Sequence, residues 1–169
     1  MRTLTLVLIV LCALSAQVQA KTKVHEEVSG FDGTRSLYVA PHVTGMVKLE
    51  SVQLSGRWNS ATPDVIAIGV TLARANVPET VSFNADGEII ELSAPLSYPN
   101  VQSSPFHGVE VGRSFVATRE QMTKIVSAKR LWVRVTTPQR VYDCPVRDGK
   151  EHPAYKALKM LADEINVQN

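Results

Sequence analysis

The chain has 169 residues, 44% hydrophobic and 20% charged, with a formal net charge of +2. That balance excludes a disordered polar tract and leaves enough apolar material for one packed core. The slight charge and an aromatic content of 6% speak against nucleic acid as a partner.

The first twenty residues have the form of a secretory leader. Arg2 supplies the positive start, Leu4 to Leu14 is almost wholly apolar, and Val18-Gln19-Ala20 resembles a small-residue cleavage site. An apolar run of about eleven residues is too short to cross a bilayer, which takes ~20. A lipoprotein signal is disfavoured because Leu11, not a small residue, precedes Cys12. The expectation is cleavage after Ala20 and a periplasmic or secreted protein with no transmembrane span. Cys144 is then the sole cysteine of the mature chain. Its Val-Tyr-Asp-Cys-Pro context, at a strand end, favours buried packing over an intermolecular bridge or a reactive thiol.

Residues 21–33 are polar and patternless, a flexible lead-in to a single domain over 34–169. Strand signals run from Ser36 to Val39 and from Met46 to Leu54. Val47 and Leu49 share a face, whereas Val52 and Leu54 are out of phase with them, so a bulge or corner is expected near Ser51. The run VIAIGVTLA from Val65 is apolar on both faces, as in a strand covered on both sides. Ala67 and Gly69 on its second face would let another element come close. Val81 and Phe83, the turn signal Asn84-Ala85-Asp86-Gly87, and Glu88 to Leu92 form a hairpin pattern. Residues 93–109 hold three prolines and four serines and read as a long loop.

Residues 115–135, FVATREQMTKIVSAKRLWVRV, organise the rest. Thr118 and Gln121 form a capping box, Met122, Ile125 and Val126 fall at helical spacing, and Glu120 can pair with Lys124 one turn on. Lys129 and Arg130 suit a last helical turn. Leu131, Val133 and Val135 then alternate with Trp132, Arg134 and Thr136, the period of a strand. A turn at Thr137-Pro138-Gln139 and a strand from Arg140 follow. Pro153 opens a final helix in which Ala154, Ala157, Leu158, Leu161, Ala162 and Ile165 make one apolar stripe. The expected fold is a β-rich α+β domain: an antiparallel two-sheet sandwich or open barrel, with one short internal helix and a C-terminal amphipathic helix.

Phe115 to Val135, followed by a short hairpin and a terminal amphipathic helix, is similar to uncharacterised bacterial periplasmic β-sandwich-like proteins, in which a small helix crosses a sheet. The likeness covers about a third of the mature chain. It implies the architecture and no activity.

Chemistry-bearing residues are scattered. His25, His42, His107 and His152 stand far apart in sequence, without the close ligand pairs of structural zinc. Nucleophile-elbow, Walker and dinucleotide fingerprints are absent, so no catalytic residue, metal or cofactor is assigned. Charge is polarised: Glu110 to Lys159 holds 11 basic and 5 acidic residues, whereas Ser60 to Val109 holds 1 basic and 5 acidic. Arg134, Arg140 and Arg147, with Lys129 and Arg130, could attract phosphate-bearing lipid heads, cell-wall polymer or an acidic protein if they share a face. Tyr98, Phe106 and His107 are the kind of amphipathic residues that loops use for recognition. The binding candidates are therefore Tyr98, Phe106, His107, Arg134 and Arg140. The functional expectation is a non-enzymatic envelope binding or accessory module. The alternatives are a hydrolase whose site only the fold assembles, and a small-ligand or lipid carrier with an apolar cavity between the sheets.

Overall fold

A computed structural model describes residues 22–46, 51–73, 76–104 and 108–167. The leader lies outside them, as do residues 47–50, on which Val47 and Leu49 fall, and Phe106 and His107. The described chain forms the expected β-rich α+β domain of two antiparallel sheets and a C-terminal helix.

The larger sheet is built from β1 (Val24–Val28), β2 (Arg35–Val43), β3 (Gln53–Asn59), β4 (Val65–Ala73), β7 (Ser93–Pro95), β8 (Asn100–Ser104) and β9 (Gly108–Thr118). Its order is β1-β2-β3-β4-β9, with β7 and β8 pairing successive stretches of β9. The smaller sheet holds β5 (Thr80–Ala85), β6 (Glu88–Glu91), β10 (Leu131–Thr136), β11 (Val141–Asp148) and β12 (Lys150–Glu151), in the order β12-β11-β10-β5-β6. Helices α1 (Arg119–Ser127) and α2 (Pro153–Val167) complete the described elements.

Period-2 patterning decides which side chains enter the core. In β4, Ile66, Ile68, Val70 and Leu72 are buried, while Val65, Ala67, Gly69 and Thr71 are only half-covered. Cover on both faces was expected; one face of this sheet instead meets solvent. Ala67, Gly69 and Thr71 add little apolar area there, and an antiparallel sheet tolerates one wet face. The close approach also falls on a different glycine. A methyl group on Gly56 would sit 2.6 Å from Leu161 Cδ2, so it is Gly56 that admits α2 onto β2 and β3. Gly69 instead receives the hydroxyl of its cross-strand neighbour Ser55. All six residues of the predicted α2 stripe are buried. Cys144 is buried too, on β11.

Two stretches read as irregular are strands. Residues 24–28, within the expected flexible lead-in, form β1, held by its ladder with β2. Glu26 also pairs with Arg35, and Glu27 with Arg57 at 3.6 Å. β1 is an exposed edge strand and buries almost nothing, so it leaves no apolar period in the sequence. Within 93–109, β7 and β8 are likewise short edge strands, where proline and serine are tolerated. A register step lies on β2, between Val39 and His42 and spanning Pro41; the chain reverses between β2 and β3, and the phase change expected near Ser51 rests on residues 47–50, outside the described ones.

The hairpin and capping box form as patterned. Asp86 (φ 53°) and Gly87 (φ 101°) make a two-residue turn of the primed type. Gln121 N–H donates to Thr118 Oγ1 at 3.1 Å, and Thr118 N–H to Gln121 Oε1 at 2.9 Å. Glu120 pairs with Lys124 at 3.5 Å. Lys129 and Arg130 stand beyond the helix, because the backbone turns extended at Ala128 (ψ 135°). Their N–H groups donate instead to the Asp86 carboxylate, at 2.9 and 2.7 Å. The turn between β5 and β6 thereby fixes where β10 begins.

Candidate functional site

The outward face of the smaller sheet carries three cross-strand rows. The first joins Val141, Thr136 and Thr80; the second Asp143, Arg134, Ser82 and Glu91; the third Pro145, Trp132, Asn84 and Ile89. All of these except Val141 and Pro145 line a groove of about 960 Å³, within the size range of small-ligand sites.

Arg134 sits at its centre. Its Nε and one terminal nitrogen donate to the two carboxylate oxygens of Asp143 at 2.7 and 2.8 Å, a bidentate fork. The guanidinium holds the Asp143 carboxyl below its ordinary range, and the carboxylate raises Arg134 in return. One row along, Trp132 is half-buried and donates its indole N–H to Asp148 at 2.9 Å. Arg130 pairs with the same carboxylate at 3.4 Å and lies 5.9 Å from the indole ring. Hydrogen bonds thus orient both large side chains on sheet backbone, which fixes a site more tightly than a loop would.

The expected basic face does not assemble as one surface. A register step in β11 opposite Leu131 and Trp132 turns Arg147 inward. There it donates to Tyr155 Oη and Ala128 O, both at 2.9 Å. Arg140 closes the turn after β10 and stacks 4.4 Å from the ring of buried Tyr142, on the opposite side from Arg134. Tyr98 is 93% exposed on the segment between β7 and β8, part of the larger sheet. Phe106 and His107 lie outside the described residues. Of the three sequence candidates that are described, Tyr98, Arg134 and Arg140, only Arg134 lines the groove.

Trp132, Asp143, Ser82 and Asn84 were not picked. The alternation of Trp132, Arg134 and Thr136 opposite the apolar residues of β10 is the signal in the sequence that could have found this face. Asp143 becomes visible only with the β10–β11 register.

A second hollow, of about 410 Å³, lies on the outer face of the larger sheet, around Tyr38, Arg57 and Gly69. His25 stacks on Tyr38 at 5.0 Å beside it. Its floor is made of small side chains, and Arg57 there pairs with Glu27 at 3.6 Å, more loosely than Arg134 holds Asp143, and lies 6.0 Å from the Tyr38 ring. Among the described residues, no three of His, Cys, Asp and Glu stand together as a metal site, and no helix is long and apolar enough to cross a membrane. The chain matches no family model, no curated protein and no solved structure.

Proposed function

We propose that this chain is exported to the cell envelope, loses its leader after Ala20, and serves there as a non-enzymatic binding module. Its contact surface is the outer face of the smaller sheet. One observation carries the reading: Arg134 and Trp132, each tied to its own carboxylate, stand side by side in an open groove on a sheet. Polar groups held in place before a ligand arrives lose little freedom on binding. A lipid-carrier role would need space between the sheets, where the buried side chains pack into one continuous cluster. The groove faces away from that layer.

The test has two parts. Intact-mass analysis of protein released from the envelope by osmotic shock should give a chain beginning at Lys21. The mature protein should also sediment with isolated envelope material. A chain that keeps its leader, or stays in the cytoplasmic fraction, contradicts export. A mature chain that remains wholly in the supernatant contradicts the binding role.

A further inference from the structure

The groove on the smaller sheet also bears on the kind of ligand, and we infer that it takes an uncharged, hydroxyl-rich chain, a neutral glycan; this rests on the binding role proposed above. Charge argues first. The lining holds two arginines, Arg130 and Arg134, against three carboxylates, Asp86, Glu91 and Asp143. Both arginines already face carboxylates, Arg134 at Asp143 and Arg130 at Asp148. Asp86 in turn is taken up by two backbone N–H groups. An anionic polymer meets no surplus of positive charge here, whereas a neutral chain has nothing to overcome.

Hydrogen-bonding capacity argues second. The hydroxyls of Thr80, Ser82 and Thr136 line the groove, and within the described chain no hydrogen bond is made by them. Thr80 and Ser82 lie two residues apart on one face of β5, and Thr136 faces Thr80 from β10, on strands roughly 4.8 Å apart. Each hydroxyl both donates and accepts, which matches a ligand bearing hydroxyls along its length. Third comes shape. The indole of Trp132, fixed through Asp148, gives a flat apolar plane beside these polar groups, suited to the C–H face of a sugar ring. Arg130, 67% exposed and paired with Asp148, stands 5.9 Å from that ring.

A protein partner is the weaker fit. Asp and Glu are depleted at the centres of protein interfaces, and three carboxylates, Asp86, Glu91 and Asp143, line this groove.

The experiment titrates the mature protein with cellohexaose, maltohexaose and chitohexaose, using dextran sulfate as the anionic probe. Tryptophan emission and calorimetry follow binding. At least one neutral oligomer should bind saturably, and about tenfold more weakly in Trp132→Ala and Ser82→Tyr, a shift of ~1.4 kcal/mol. Ser82→Tyr fills the groove without touching the core and stands in if Trp132→Ala folds poorly. Arg57→Tyr, in the hollow of the larger sheet, should bind as the unaltered protein does. Three results overturn the inference: no saturable binding of any neutral oligomer up to about 10 mM, a range that captures even millimolar Kd values; binding undiminished in Ser82→Tyr; or preference for dextran sulfate. If the oligomers fail while the protein still sediments with envelope material, the ligand class is wrong and the binding role stands. If both fail, both are wrong.

Discussion

The hydroxyl of Tyr155 on α2 donates to the carbonyl of Val126 near the end of α1, at 2.7 Å. The same oxygen accepts from Arg147 Nη1, which also reaches Ala128 O. One buried phenol thus ties both helices to β11 and satisfies carbonyls that the end of α1 leaves without intrahelical partners. Tyr155→Phe keeps the ring and strands the Val126 carbonyl. It should cost about 1–3 kcal/mol in urea unfolding, the range for a buried acceptor left unpaired. A loss near zero would mean that the knot adds nothing to stability.

At Gly56 the larger sheet leaves no room for a side chain beneath Leu161 of α2. Gly56→Ala would press its methyl on Leu161 and should cost about 1–3 kcal/mol, as overpacking does. In a Leu161→Ala background, most of that penalty should vanish. Thermal or urea unfolding of the four proteins in this cycle measures the coupling. Additive losses would place the strain elsewhere.

The capping box makes a separate prediction. Thr118→Ala removes the acceptor for the Gln121 N–H and should cost about 1 kcal/mol. Gln121→Ala should cost more than the cap alone, because Gln121 Nε2 also donates to Glu91 O on β6, at 3.1 Å. Equal losses would mean that this link to the sheet is idle.

Acid should destabilise the fold through two histidines. Burial holds His42 below the ordinary histidine range, and burial with the nearby charge of Lys150 does the same for His152. A depressed folded-state pKa means that the unfolded chain binds the proton more readily. Stability is therefore full above the unfolded value of about 6.5 and falls as pH drops from there toward the folded values. His42→Gln with His152→Gln should flatten the dependence of Tm on pH between about 7.5 and 5. An unchanged slope would assign the acid sensitivity to other groups.

Local chemistry was legible in the sequence, and long-range register was not. The capping box at Thr118, the turn at Asp86 and Gly87, the α2 stripe and the alternation in β10 each depend on residues a few positions apart. Edge strand β1 and the described residues 100–103 of β8 bury too little to leave an apolar period. The groove eluded sequence reading for a different reason. Arg134 was found as a charge in a basic run, but its partner Asp143 depends on the β10–β11 pairing. The same pairing carries the register step that turns Arg147 inward, and with it the supposed basic face divides.

Whether the outer face of the smaller sheet is the working surface is best measured by sedimentation with isolated envelope material, comparing the mature protein with Ser82→Tyr and Arg57→Tyr. The unaltered protein and Arg57→Tyr should pellet alike, while Ser82→Tyr, equally folded by circular dichroism, should stay in the supernatant. Pelleting of Ser82→Tyr at the level of the unaltered protein would rule out the groove as the contact surface.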